Sequence, residues 1–354
     1  MAALRRPRIA LTLGDPNGIG PEIGVKLAAR PENRARADIV LFSGPAIVAA
    51  GERIAEITLG LDEAGAPRLE ALDLVTGGDI EPGKATRAGG HAALRALDAA
   101  LAAAARGTVD AIVFAPLNKH AMHLAGLAEE DELRYMQHFF GVDGFVSEFN
   151  ITGALWTSRV TSHVPLREVA DAITADGVVD AVRILHHYLV AAGAASPRIA
   201  VTALNPHAGD GGSLGREEID VIAPAIARAR GEGVDAHGPL PSDTVFVAAR
   251  DGDYDAVVTM YHDQGQIAMK LLGFERGVTL HGGLPVPIAT CASGTAFDIV
   301  GRNVANVEGL QSAFDLVASI ATRRHWHLPG VDVSALRPAP AHRRGTAPGR
   351  PLRG

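Results

Sequence analysis

Cysteine is almost absent from this 354-residue sequence. Cys291 stands alone, so no internal disulfide can form and nothing asks for an oxidising compartment. Aromatic residues make up only 5%, so any core must be built mainly from Ala, Val, Leu and Ile. No run of about 18 uncharged apolar residues occurs, which leaves no candidate membrane span. The basic start, residues 1–8, is followed by a short apolar stretch and no secretory cleavage pattern. Positive charge is not in excess: 33 Lys and Arg stand against 40 Asp and Glu, a net of −7. That balance supplies no global field for nucleic acid or an anionic membrane. Repeats of 20–50 residues and the dinucleotide fingerprint G-x-G-x-x-G are also missing. What is present is 47% hydrophobic and 21% charged residues, enough for a sizeable core and too ordered a mixture for wholesale disorder. The length fits one large or two medium domains. A cytoplasmic protein is expected, with no nucleic-acid or membrane partner.

Short apolar runs alternate with longer helical patterns. Residues 8–13, 39–42, 111–115, 155–161, 198–204 and 256–260 read as buried strands. Residues 21–29, 91–105, 176–190, 217–229, 264–272 and 310–322 read as helices, with Pro224 interrupting the fourth. The alternation predicts an α/β fold around a largely parallel sheet, with ligands at the carboxyl ends of its strands. The segment 128–149 mixes acids, aromatics and glycine and reads as a lid or an inter-domain strap. The Pro-, Ala- and Arg-rich tail from 329 to 354 has little to bury and reads as disordered.

Several loops carry residues with chemistry. The glycine loop 14–22 follows a strand and opens a helix, so its amides are candidates to hold an anion; a plain tight turn is the other reading. His163, His207 and His262 each follow a predicted strand, and a parallel sheet would bring them to one edge. Three imidazoles in equivalent places suit Zn²⁺ or a similar divalent ion, with Asp243 or Asp263 adding a carboxylate. Histidines that only hydrogen-bond within loops are the alternative. Lys119 follows another strand, and Lys270 lies two turns beyond His262. Each is a candidate acid or base if buried beside a metal, and otherwise a surface charge. Cys291, in an apolar setting without a partner, reads as a small core residue.

Taken in order, these loops resemble the 4-hydroxythreonine-4-phosphate dehydrogenase (PdxA) family. The stretches that carry the resemblance are Gly14-Asp15-Pro16-Asn17-Gly18-Ile19-Gly20-Pro21-Glu22, Ala115-Pro116-Leu117-Asn118-Lys119, Thr161-Ser162-His163, Asn205-Pro206-His207-Ala208-Gly209, Pro241-Ser242-Asp243-Thr244, Tyr261-His262-Asp263-Gln264-Gly265 and Gly294-Thr295-Ala296-Phe297-Asp298. The resemblance implies an isocitrate/isopropylmalate-dehydrogenase-like fold of two intertwined α/β domains around a cleft. These would be residues 1–128 with 286–328, and residues 129–285. It implies a homodimer with the active site at the interface. It also implies a divalent metal, often zinc with magnesium, cobalt or manganese as substitutes, on His163, His207 and His262. The implied reaction is NAD-dependent oxidation of a secondary alcohol at a CH–OH group, followed by decarboxylation. Lys119, Asp243 and Asp263 are the candidates for taking the hydroxyl proton. Gly283, Thr290, Gly294 and Asn303 are the candidates for contacting NAD.

Some family positions differ here. The family's His-Thr pair before the first metal histidine falls in the region Glu130-Asp131-Glu132-Leu133-Arg134-Tyr135. A substrate-binding Asn is replaced by Thr279, the substrate-gripping Arg by Ile288, and an Asp-His pair by Ala292-Ser293; Lys270 is retained. Losing the arginine removes a bidentate phosphate clamp and leaves an apolar wall. The expectation is therefore a non-phosphorylated carboxylate substrate, such as the terephthalate cis-dihydrodiol oxidised by an offshoot of the family. It would be met by Lys270, Thr279, Ile288, Arg134 or His281. The vitamin B6 enzyme itself, a dehydrogenase of four-carbon phosphorylated sugar acids, and a non-catalytic ligand-binding relative are the alternatives.

Overall fold

The computed structural model describes residues 6–61, 63–74, 80–273 and 276–322. The basic tail lies outside the described residues. The strands are β1 (Arg8–Thr12), β2 (Asp38–Ser43), β3 (Arg68–Ala71), β4 (Ala111–Phe114), β5 (Ser147–Thr152), β6 (Leu155–Arg159), β7 (Ile199–Thr202), β8 (Ala236–Leu240), β9 (Ala256–Thr259), β10 (Val278–Gly282) and β11 (Ile288–Cys291). The helices are α1 (Gly20–Ala29), α2 (Pro31–Arg36), α3 (Pro45–Ala55), α4 (Arg87–Ala105), α5 (Lys119–Leu124), α6 (Glu132–Phe140), α7 (Val169–Ala172), α8 (Ala175–Ala192), α9 (Ala223–Gly231), α10 (Ser242–Arg250), α11 (His262–Leu272) and α12 (Glu308–Ala321).

The strands join one sheet in the order β3-β2-β1-β4-β11-β10-β5-β6-β9-β7-β8. The first five are parallel to one another. The last four, β6-β9-β7-β8, are also mutually parallel. Antiparallel pairings of β11 with β10, β10 with β5 and β5 with β6 separate the two blocks. Three reversals are an odd number, so the two parallel blocks run in opposite senses. The α/β class expected from the sequence is thus found, with an antiparallel insert at its centre.

Because strand side chains alternate between faces, each block is covered on both sides. Leu11 and Val113 pack in the cluster with α1, α8 and α12. Their neighbours Ala10, Ile112 and Phe114 pack in a second cluster with α4, α5 and α6. Helices on both faces leave only the strand ends open to a ligand. No helix among the described residues is long and apolar enough to cross a membrane.

The interruption expected at Pro224 is found. The pattern over 217–229 is not one helix: Glu218–Ile222 forms a π-helical turn, and α9 begins beyond it with Pro224 in its first turn. There proline costs no intrahelical hydrogen bond. The segment 128–149, expected as a lid or an inter-domain strap, contains α6 and the start of β5. In α6, Leu133, Met136 and Phe140 recur at helical spacing and are buried in the second cluster.

Candidate active site

His163, His262 and His207 follow β6, β9 and β7, three adjacent parallel strands. Their loops are tied together by polar contacts. Thr161 donates both its amide and its hydroxyl to the carbonyl of Met260, at 3.1 and 2.8 Å. Gln264 Oε1 accepts from the Met260 amide at 2.7 Å and from the Thr202 hydroxyl at 2.8 Å, while Nε2 donates to the carbonyl of Ala203. Glu218 Oε1 accepts from the amides of Leu204 and Asn205 at 2.9 and 2.7 Å. These bonds fix the three loops against one another without using a histidine.

The rings of His163 and His262 stand 5.6 Å apart. His163 Nδ1 faces Glu130 Oε1 at 3.0 Å and Asp131 Oδ2 at 3.4 Å. His262 Nδ1 faces Asp263 Oδ1 at 2.7 Å. A carboxylate on one ring nitrogen is the arrangement that orients the other toward a metal. Asp131 also caps α6, its Oδ1 accepting from the Arg134 amide at 2.9 Å. Among the described residues, the donor atoms of Glu130, Asp131 and His163 all lie within 4.8 Å of one another. The three histidines do not close to that extent within one chain. His207 is exposed in a left-handed run in which His207, Ala208, Gly209, Asp210 and Gly211 all have positive φ. Asp243 is exposed in the first turn of α10, beyond the outermost strand β8, and forms no ion pair with these histidines.

The acidic segment before α6 reaches both blocks. Glu132 Oε2 lies 3.8 Å from Lys119 Nζ, at the start of α5. Asn118 caps that helix by accepting from the Ala121 amide at 2.9 Å, which sets the direction of Lys119. On the sheet beside them, Glu148 of β5 pairs with Arg159 of β6. Burial works against the Glu148 carboxylate, yet Arg159, with His281 and Lys119, holds its pKa below the ordinary range. Asn150 accepts from Arg159 and donates to Thr279 Oγ1 at 3.4 Å. His281, paired with Glu148 across β10 and β5, is fully buried, and its ring stacks on Phe114 at 5.4 Å.

The remaining candidates are dispersed. Arg134 is exposed and donates to Gln137. Lys270 is exposed on α11 near Ile267 and Leu271. Ile288 is fully buried in the second core cluster and so presents no wall to an open pocket. Gly283 is needed for packing, because a Cβ there would lie 2.5 Å from the Phe145 carbonyl. The Thr290 hydroxyl is spent on the carbonyl of Phe114 at 2.6 Å. Gly294 and Asn303 are exposed on a loop that rests on the glycine turn after β1. That turn offers little to an anion: the amides of Asp15, Gly18 and Ile19 donate to Pro116, Asp15 and Thr295 carbonyls, and that of Asn17 to Asp15 Oδ1. The reading as a tight turn is the one observed. Cys291 is buried in the core, and burial raises its thiol pKa.

One imidazole nitrogen with two carboxylate oxygens, and a second oriented imidazole alongside, is a donor set that suits a divalent cation. Glu130 and Asp131 were legible in the sequence only as departures from a pattern. Their part beside His163 follows from the start of α6 lying against the loop after β6.

Residues 36–317 match the family described as pyridoxal phosphate biosynthetic protein PdxA. A protein of Pseudomonas aeruginosa named "Putative 4-hydroxythreonine-4-phosphate dehydrogenase 2" is 47% identical over 337 residues, covering 92% of this chain and 100% of that one. The crystal structure of 4-hydroxythreonine-4-phosphate dehydrogenase from Klebsiella pneumoniae is similar at a TM-score of 0.78 and 35% identity, over 91% of this chain and 100% of that chain. A terephthalate 1,2-cis-dihydrodiol dehydrogenase from Burkholderia xenovorans is similar at a TM-score of 0.66 and 31% identity, over 89% and 98%.

Proposed function

The chain belongs to the PdxA family, and on that premise we propose that it uses NAD and a divalent metal to oxidise a small hydroxy acid bearing a phosphate. It is a dehydrogenase acting on a hydroxyl group. The substrate class we favour is a four-carbon hydroxy acid 4-phosphate, 4-hydroxythreonine 4-phosphate or its counterpart with a hydroxyl at C2. Decarboxylation of the resulting β-keto acid follows. The whole-length similarity to proteins named for that activity supports this class over the non-phosphorylated one expected from Ile288. The observation that carries the reaction is the pair His163 and His262, adjacent and each with Nδ1 on a carboxylate.

His163, His262, Glu130 and Asp131 would hold the ion, with His207 on the neighbouring strand end. A divalent ion there supplies positive charge that lowers the pKa of the hydroxyl and meets the negative charge developing on its oxygen. Asp263 keeps the His262 imidazole in one orientation. Lys119 shares the 130–132 segment with His163 through Glu132, and it is assigned the hydroxyl proton at Nζ. Gly294 and Asn303, open to solvent, would contact NAD, which supplies the hydride acceptor. The two parallel blocks of the sheet would each form the centre of one domain, residues 1–128 with 286–328 and residues 129–285. Ile267 and Leu271, 63% and 83% exposed on α11 beside Lys270, favour a second copy of the chain packing there.

A second reading is the oxidation of a non-phosphorylated cyclic diol carboxylate. The similarity over 89% of this chain to a terephthalate 1,2-cis-dihydrodiol dehydrogenase favours it. NADH formation with added Mg²⁺, Mn²⁺, Co²⁺ or Zn²⁺ separates the two. Turnover of 4-hydroxythreonine 4-phosphate or 4-phosphothreonate supports the first reading; turnover of terephthalate dihydrodiol alone refutes it. His163→Ala is expected to weaken divalent-ion binding roughly 10- to 100-fold by metal titration.

A further inference from the structure

The geometry points to Arg159 as a positioning residue that holds His163 and His262 in fixed relation to one another. This rests on the reading that those two imidazoles hold a divalent ion, and it deepens that reading by assigning their support to one buried side chain. Arg159 ends β6 and is only 5% exposed. Its guanidinium donates in three directions: Nη2 to Glu148 Oε2, Nη1 to Asn150 Oδ1 at 2.9 Å, and Nε to Ser162 Oγ at 2.9 Å. Ser162 immediately precedes His163. Asn150 Oδ1 also accepts from Gln266 Nε2 on α11. Gln266 lies four residues beyond His262, one turn along the same face of the helix. One arm of the arginine thus ends beside the first imidazole. Another leads through Asn150 to the helix that carries the second.

The fork is rigid and its seat is firm. The donors of a guanidinium lie in one plane at fixed angles, so the two arms cannot swing independently. Glu148 and Asn150 both belong to β5, which is hydrogen-bonded to β6 on one side and to β10 on the other. Asn150 is held from β10 as well, donating to Thr279 Oγ1. On the His163 side, the Val164 amide donates to the Ser162 carbonyl at 2.9 Å. His163 is therefore the central residue of a three-residue turn, and Ser162 is its base. The tie of Thr161 to Met260 holds the chain one residue earlier and leaves the Ser162 side chain to Arg159. Glu148 and Asn150 keep their arginine when the Ser162 hydroxyl is removed. That contact therefore separates positioning from the stability that the buried ion pair supplies.

The test titrates Co²⁺ into wild type and variants and follows the visible absorption of the bound ion, with denaturant unfolding of the ion-free proteins beside it. Ser162→Ala is expected to weaken Co²⁺ binding about 3- to 10-fold, the effect of one hydrogen bond, with its unfolding midpoint unchanged. Ser162→Thr keeps the hydroxyl and should bind as the wild type does. Gln266→Met cuts the other arm and should give a loss of similar size. The double variant Ser162→Ala/Gln266→Met should lose less than the product of the two single losses, because both arms act through one guanidinium. Unchanged affinity in Ser162→Ala, an equal loss in Ser162→Thr, or single losses that simply multiply overturns the proposal. So does a loss of affinity matched by a lowered unfolding midpoint, which would mark a merely structural contact. A wild type that binds no Co²⁺ overturns the functional reading instead.

Discussion

Asp15 lies in the turn after β1 and is fully buried. Its Oδ1 accepts from the Asn17 amide at 2.9 Å, while Oδ2 has no partner among the described residues. Burial pushes its pKa up from 3.8 to about 6, against the opposing pull of the Asn17 amide. Because the folded value exceeds the unfolded one, folding holds the proton. Below about pH 3.8 both states are protonated and the group exerts no net effect. As the pH rises toward 6 the unfolded chain ionises first, so stability falls. Above 6 both states are ionised and the penalty is complete. The interval between 3.8 and about 6 corresponds to roughly 3 kcal/mol. Asp15→Asn keeps the acceptor for Asn17 and removes the ionisation. Its amide leaves a buried donor at the place of Oδ2, a cost that does not vary with pH. The stability difference between variant and wild type should therefore move in favour of the variant by up to about 3 kcal/mol between pH 4 and pH 8. Denaturant titrations at those two pH values measure it. Parallel pH dependences for the two proteins would refute the argument.

Arg159→Met should destabilise by roughly 3–5 kcal/mol in thermal and denaturant unfolding, because Glu148 is left as a buried unpaired charge. Adding Glu148→Gln should recover much of the loss, and a failure to recover would contradict the pairing. Gly90→Ala is expected to cost about 1–3 kcal/mol or more, since its Cβ would lie 1.9 Å from the Ala121 carbonyl oxygen; unchanged unfolding would mean that α4 and α5 are not in backbone contact. Leu271→Asp should convert a dimer to monomer in sedimentation velocity at micromolar concentration, and a persisting dimer would place the interface elsewhere.

Strands with an apolar centre, such as β1 and β4, could be read directly. β5 and β10 could not, because Glu148, Asn150, Thr279 and His281 interrupt them and take their meaning only from one another across the ladder. β8 carries Gly238-Pro239, a pair that marks a turn in most contexts, and it lies at the edge where proline is tolerated. The adjacency of His163 and His262 follows from two short steps that sequence can take: each lies just beyond an apolar strand, and those strands are parallel neighbours. The place of Ile288 could not be foreseen, because a strand residue's face depends on register, and here it falls toward α4 and α6. Asp131 has a local role as the cap of α6, but its place with Glu130 beside His163 comes only from the approach of two distant loops.

The left-handed run at 207–211 includes three residues other than glycine, His207, Ala208 and Asp210. Each holds a conformation that disfavours L side chains by about 1–2 kcal/mol, and Glu218 braces the chain immediately before it. A ligand held by His207 would meet an arm already cocked. The ordering of that arm is completed as the chain folds, so the burden falls on the fold's own margin and not on the moment of capture.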